Sequence, residues 1–489
     1  MPESEDHLAQ TAEIDTSIRE AAQAQHSLKR ELRLGDLVLM QVLLILGFTW
    51  IGSAAEQGTT HAFLWVAAIL FLYLPLAGVV MHLSRVIPVE GGSYQWIKAG
   101  LSPLAGYLAA ANICLYIFAV YGTIGPTLVN SVAYALGPRG AWMMNSNAVL
   151  VGVGVACLVS VWAINVRGLH LGKIVMNGGA ALTVVVGALT MFLLFKRMTS
   201  GVPPLNKPFS FAAPAFSIAT LNVFTKIAMG GLTGFDNAGV FAGECRGARR
   251  DLPRSVMVAA PLIALIYILT TGAMLAWIPA GKIDLAAPIP QLLRAGFGNT
   301  GIGAVISVAT IVIMTLNSYA GAVAMVGMAS RFPMVIAWDK LLPEWWSRLH
   351  PKYRTPVKSI GAVSGACIAV QLLSSGGAGG QEMIQIGMGA GIAGLCMMYS
   401  MLFGIVLFAR KGSPVRPGPF LRLAALSGFV VSLASLPFQV VPQAGVANRW
   451  VFALKVAGLF CAANGTAALL YWNGKRVGQA IVVRGLPVA

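Results

Sequence analysis

The sequence predicts an all-α integral membrane protein of about twelve transmembrane helices. Of its 489 residues, 57% are hydrophobic and only 10% are charged, whereas a soluble protein of ordinary composition is about 25% charged. A water-facing surface of this size would need more charge for solubility. Most of the surface therefore faces lipid, and the expected environment is the bilayer of the cell membrane.

The apolar residues occur in long runs, which indicate helices and not strands. Runs of about 18 residues or more are typical of membrane-spanning helices. The clearest examples are residues 63–80, 148–164, 174–195, 255–277, 302–316, 383–408 and 451–472. A transmembrane β-barrel would need segments of about ten residues that alternate between apolar and polar, and these runs do not alternate.

The net charge of +17 follows the predicted topology. When the N-terminus is placed inside, 25 of the 34 Lys and Arg residues fall in segments on the inner side. Short cytoplasmic loops carry such an excess of Lys and Arg. Both termini are then cytoplasmic, which requires an even number of helices, and the basic charge does not indicate a nucleic-acid partner.

The polar ends and the cysteines indicate no further site. Residues 1–35 lack an apolar stretch and are expected to form a solvated, disordered tail. The six cysteines show no CxxC pairing and mostly lie in apolar runs, where a single Cys behaves as a small hydrophobic residue. We expect no disulfide, no metal site, no cofactor and no catalytic residue.

Two glycine-rich stretches, at residues 46–58 and 229–236, lie within the first and sixth predicted helices. Each glycine weakens a helix by roughly 1 kcal/mol, and unwound backbone at membrane depth is tolerated only where it lines a cavity or is packed in protein. Two such interruptions are expected of transporters built from two inverted repeats. Small residues also allow helices to pack closely, so the glycines alone leave both interpretations open.

After residue 36 the chain holds only nine acidic residues, and two of them, Glu56 and Asp236, lie at or near membrane depth. An ionisable group there costs at least a few kcal/mol unless it faces water or a partner. Both are therefore candidate charge or coupling residues, and the alternative is that each lies nearer the membrane surface.

Three stretches resemble the amino acid–polyamine–organocation permeases. The first is HLSRVIPVEGGSYQW at 82–96 with LSPLAGYL at 101–108, which follows the second helix. The second is GFD at 234–236 with ECRGARRDLPR at 244–254, and the third is RFPMVIAWDKLLP at 331–343 with HPKYRTP at 350–356. The similarity extends over roughly residues 35 to 420, and the three motifs occur in the family's order.

The resemblance implies a five-plus-five inverted repeat with broken helices one and six, two further C-terminal helices and transport by alternating access. The implied segments are a tail at 1–35, a first repeat at 36–200 and a second repeat at 201–380, which includes an interfacial segment at 331–358. Residues 381–472 complete helices ten to twelve, and 473–489 form a cytoplasmic tail. Residues 88–101 are expected to be a loop or a re-entrant piece.

The resemblance also places the substrate site at the two breaks. The family's carboxylate-binding break corresponds to Ile51, Gly52, Ser53 and Ala54, and Trp50 is expected to gate or line the pocket. Helix-six carbonyl groups that would hold the amino group correspond to Met229, Gly230, Gly231, Leu232 and Thr233.

Thr183 stands where several members of the family have a lysine that replaces a sodium ion, so coupling by that lysine is excluded. Uncoupled exchange, proton symport and a cation bound near Thr183, such as sodium, stay open.

These observations favour a permease for a neutral amino acid, because dipolar helix ends suffice to hold a zwitterion, whereas a polyamine should need several acidic partners. The alternative is a cationic amino acid or polyamine transporter that uses Glu56 and Asp236. A membrane sensor without transport would be expected to carry signalling modules, and an enzyme would be expected to show a catalytic cluster. The sequence shows neither feature.

Overall fold

The structure, a computed structural model, describes residues 19–284, 287–298, 300–374, 380–409, 413–442, 446 and 448–484. Within these ranges, ten helices are long and apolar enough to cross a membrane. Two more helices, the first and the sixth, are interrupted near their middle. The all-α membrane fold class with about twelve helices is therefore confirmed.

The twelve helices are numbered in chain order. They are α1 (Leu34–Ile45 and Phe48–Ala55), α2 (Gly58–Val86), α3 (Pro103–Tyr121, continued by Ile124–Leu136), α4 (Asn147–Val166), α5 (Leu169–Thr199), α6 (Ile218–Lys226, Ile227–Gly231 and Phe235–Glu244), α7 (Ala248–Trp277), α8 (Gly301–Ala329), α9 (Val357–Ser374), α10 (Gly380–Phe408), α11 (Pro419–Ser435) and α12 (Arg449–Arg484). In the packed bundle, α7 contacts α1, α2 and α5, while α10 contacts α3, α11 and α12.

Two short helices lie between the membrane-spanning helices. The stretch at 88–101, expected to be a loop or re-entrant piece, contains the helix Ser93–Gly100, with Tyr94 and Trp96 buried. The segment at 331–358, expected at the interface, contains the helix Arg331–Trp338, which is mostly buried, while Trp345 is exposed. Both stretches carry apolar residues that pack against the bundle.

The prediction of a disordered tail at residues 1–35 is partly wrong. Residues 20–27 are helical, and Leu32 is fully buried. The Leu32 N–H donates to the Glu244 carbonyl oxygen at 3.0 Å, and the Leu32 carbonyl oxygen accepts from Arg246 N–H. Residues 1–18 lie outside the described part of the chain. At the other end, α12 continues through the predicted tail to Arg484.

The first helix breaks at Leu46 and Gly47, whose backbone is extended. The sequence placed this break at residues 51–54, and that prediction is wrong, because Ile51, Gly52, Ser53 and Ala54 are all helical within Phe48–Ala55. The second segment therefore begins at Phe48, before the residues at which the break was expected.

The sixth helix breaks where the sequence predicted. Its first segment widens into a π-type turn at Ile227–Gly231, residues 232–234 are not helical, and Gly234 has a φ of 124°, which favours glycine. The second segment, Phe235–Glu244, is a tight helix that is buried along its whole length.

One side chain from α7 holds both breaks. The Tyr267 hydroxyl accepts a hydrogen bond from Gly47 N–H at 2.8 Å, and it lies 2.8 Å from the Ile45 carbonyl oxygen and 2.9 Å from the Gly231 carbonyl oxygen. Its ring stacks on Trp65, with centroids 4.6 Å apart. Because unwound backbone in a membrane needs partners within the protein, Tyr267 supplies them to α1 and α6 together.

A second set of polar contacts joins the far end of α6 to the short helix Arg331–Trp338 that follows α8, and it consists of Glu90, Glu244 and Arg331. The Arg331 guanidinium binds both Glu244 carboxylate oxygens at 2.8 and 2.9 Å, and it lies 3.6 Å from Glu90 Oε1. Glu90 Oε2 accepts from Gly243 N–H at 2.7 Å. Two buried carboxylates thus share one guanidinium.

The position of Glu90, in the loop after α2, disfavours its charged form. Burial raises the pKa of the Glu90 carboxyl well above its ordinary value, and the Glu244 carboxylate raises that pKa further, while Arg331 opposes the rise. Because the folded chain holds this proton more tightly than the unfolded chain, the corresponding stability is present at low pH and is lost as the pH rises through the folded pKa.

Replacing Tyr267 with Phe should destabilise the protein, since one buried N–H and two carbonyl groups lose their shared partner. We expect a loss of at least about 2 kcal/mol in the free energy of unfolding, measured by denaturation of the purified protein in detergent. Tyr319→Phe is the control, because the Tyr319 hydroxyl contacts a single side-chain hydroxyl, that of Ser160. Equal losses in the two variants would contradict a special role for Tyr267.

Replacing Glu90 with Gln should flatten the pH dependence of stability, since the amide stays neutral and still accepts from Gly243. Between about pH 5 and pH 8 the melting temperature of the unmodified protein should fall more steeply than that of the variant. Glu382→Gln, at a partly exposed pair with Lys455, should leave the slope unchanged. Parallel curves for Glu90→Gln and the unmodified protein would show that Glu90 does not hold the proton.

Candidate functional site

The two breaks face an internal cavity of about 430 Å³. This volume lies within the range of about 300 to 1,000 Å³ that small-molecule sites occupy. Its wall takes residues 43–47, Trp50 and Ser53 from α1, and Lys226 and Gly230 from α6. Both interrupted helices thus contribute to one chamber.

The Trp50 indole ring lies across the glycines of the opposite break. A Cβ atom built on Gly230 would lie 2.2 Å from Trp50 Cζ2, one on Gly47 would lie 2.9 Å from Trp50 Cδ1, and one on Gly231 would lie 3.3 Å from Trp50 Cγ. Distances below 3.0 Å are sterically forbidden, so only glycine fits at positions 47 and 230 while the indole keeps this position.

The remaining walls come from α3, α8, α10 and the connection between α11 and α12. The polar lining residues on α8 and α10 are Asn317, Ser318 and Gln385, and α3 contributes Tyr116 and Tyr121. Gln439, Val441 and Pro442, in the connection, also line the chamber, together with Phe452 of α12.

Lys226 is the cation of this wall. It is 8% exposed, and its ammonium donates a hydrogen bond to the Val441 carbonyl oxygen at 3.0 Å. None of the lining residues in the described chain is Asp or Glu, and the ion pairs found among the described residues do not include Lys226. The chamber therefore carries a positive charge with no carboxylate against it.

The predicted substrate-binding residues divide into two groups. Trp50, Ser53 and Gly230 line the chamber, and Thr233 lines a smaller hollow of about 30 Å³ below the α6 break. The others are not on the chamber wall: Ile51, Gly52, Ala54, Met229, Gly231 and Leu232. Of these, Gly231 acts through its carbonyl oxygen, which Tyr267 contacts.

The predicted charge and coupling residues lie apart from one another. Glu56 ends the second segment of α1, is exposed and does not line the chamber. Asp236 is fully buried beyond the α6 break, where Oδ1 accepts from the Tyr399 hydroxyl at 2.8 Å. The Thr183 hydroxyl lies 2.6 Å from Oδ1 of Asn317, which lines the chamber. Thr183 itself does not line it.

The sequence analysis missed Lys226 and Tyr267. Lys226 precedes Gly230 by four residues, so both lie on one face of a helix, and that spacing was a usable signal once Gly230 was placed at the site. Tyr267 had no such signal, since its contacts lie 220 and 222 residues away in α1.

Comparisons with known proteins agree with this architecture. Residues 33–461 match the family described as amino acid permease. A branched-chain amino acid permease of Bacillus subtilis is 25% identical over 69% of this chain and 73% of its own length. A low-affinity putrescine importer of Escherichia coli is 25% identical over 66% of this chain and 69% of its own length. Cationic amino acid transporter 7, chloroplastic, of Arabidopsis thaliana is 23% identical over 73% of this chain and 61% of its own length.

The match covers most of the chain, including both interrupted helices and every residue that lines the chamber. The relatives are transporters and not enzymes, and their names give amino acids or a polyamine as substrates. The chain is a multi-pass membrane protein that belongs to the amino acid permease family.

Proposed function

We propose that the protein is a secondary transporter that moves an amino acid across the cell membrane by alternating access, with its substrate bound in the chamber between the two breaks. The observation that carries the proposal is that α1 and α6 are interrupted at the same chamber, where Tyr267 joins the two interruptions. The placement of both termini in the cytoplasm and the repeat boundaries at 36–200 and 201–380 are part of this proposal.

The two helix ends at the chamber suit the two charges of an amino acid. The segment Phe48–Ala55 begins at the chamber, so its positive dipole end and its first N–H groups suit a carboxylate. The segment that ends at Gly231 directs its negative end there and suits an ammonium group. This arrangement supports a substrate held by its main-chain groups.

The charge of the wall argues against the cationic alternative to the neutral amino acid that the sequence favoured. That alternative relied on Glu56 and Asp236, and neither lines the chamber. Lys226 does, and it would repel a cationic side chain or a polyamine. The coupling ion stays a separate proposal: a cation such as sodium would bind near Thr183, whose hydroxyl lies 2.6 Å from Asn317 Oδ1, whereas proton symport would use another group.

Gly230→Leu should reduce amino acid binding by more than tenfold, since the new side chain would take the place of the Trp50 indole and push it into the chamber. Binding would be measured by scintillation proximity with labelled amino acids on the purified protein. Gly458→Leu is the matched control, because a Cβ at Gly458 in α12 meets nothing within 4 Å. Unchanged affinity in a folded Gly230→Leu variant would place the site elsewhere.

Glu56→Gln tests the alternative substrate class. We expect amino acid uptake into proteoliposomes to stay within about twofold of the unmodified protein, since Glu56 is exposed and away from the chamber. Abolished uptake of lysine or arginine in this variant, with those solutes transported well by the unmodified protein, would instead support a cationic substrate.

A further inference from the structure

Lys226 lies in the interior of the bundle with little to balance its charge. It lies one helical turn before Gly230, and among the described contacts its ammonium has one acceptor, the Val441 carbonyl oxygen. Every acidic residue after position 18 belongs to the described chain, and none of them pairs with Lys226. A buried ammonium with one neutral acceptor is poorly compensated.

An ammonium has three hydrogen-bond donors, so the contact with Val441 leaves two for a ligand. Because Lys226 and Gly230 both line the chamber, those donors are available beside the site of the main-chain groups. Lys226 lies about one helical turn from Gly230.

We propose that Lys226 is a specificity-determining residue that binds a second carboxylate, and that the chamber selects acidic amino acids over neutral and cationic ones. This inference rests on the proposed function and adds the identity of the side chain. The side-chain carboxylate supplies the missing counter-charge of Lys226, while the α-carboxylate and the α-ammonium occupy the helix ends. The breaks alone do not distinguish one amino acid from another, since they contact only groups common to all of them.

One further group of the wall fits a carboxylate. Asn317 uses Oδ1 to accept from Thr183, which directs its amide NH₂, a pair of donors, away from that contact. Val441, whose carbonyl oxygen accepts from Lys226, lies in the connection between α11 and α12 that lines the chamber. A bound carboxylate therefore joins the substrate, α6 and this connection through one ammonium group.

The test compares the binding of glutamate, aspartate, leucine, lysine and putrescine to the full-length purified protein and to the Lys226→Met variant. The unmodified protein should bind glutamate or aspartate at least tenfold more tightly than leucine, and lysine and putrescine more weakly than leucine. Lys226→Met should lose tenfold or more in affinity for the acidic amino acids and keep its affinity for leucine. Lys226→Arg, which keeps the charge, should retain the acidic preference.

Lys455→Met is the matched control, since it removes the same charge from a half-exposed lysine that pairs with Glu382 outside the chamber. It should bind all five solutes as the unmodified protein does.

Tighter binding of leucine than of glutamate by the unmodified protein would overturn the inference and leave the proposed function in place. Equal loss of every amino acid in Lys226→Met would also overturn it, since Lys226 would then be structural. Failure of the unmodified protein to bind any amino acid would remove both proposals.

Discussion

The fold depends on the need to satisfy backbone groups where two helices unwind inside a bundle. Breaks in α1 and α6 expose N–H and C=O groups that lipid cannot accept. The Tyr267 hydroxyl, from a third helix, contacts backbone groups of Ile45, Gly47 and Gly231, and so gives both breaks a hydrogen-bond partner. With these groups satisfied, the ends of both interrupted helices face the chamber.

The chamber wall combines main-chain dipoles with a single lysine, Lys226. In the proposed function, the helix ends would bind the groups that all amino acids share, and Lys226 would contact the side chain, in which they differ. Trp50 lies across Gly230, so it adds an apolar surface that only glycine at position 230 allows. Under this proposal, specificity depends on few side chains, because the backbone would supply most of the polar contacts.

The sequence predicted the helices well and the details of the site less well. Long apolar runs identify membrane helices from local composition, and Gly230 and Gly231 correctly indicated the α6 break. In α1, Gly52 and Ser53 looked like the break, but the glycine that Tyr267 contacts is Gly47. Pairings over such sequence separations leave no local pattern. The packing of Leu32 was missed for a similar reason, since its partners Glu244 and Arg246 lie far along the chain.

The pairing of residues 31 and 32 with residues 244 and 246 has a mechanical consequence. Glu31 and Leu32 donate to the Glu244 carbonyl oxygen, and Glu90 N–H donates to Gln25 Oε1. The N-terminal segment is thus hydrogen-bonded to the second segment of α6 and to the loop after α2. Any displacement of that segment of α6 would have to carry the N-terminal segment with it or break those bonds.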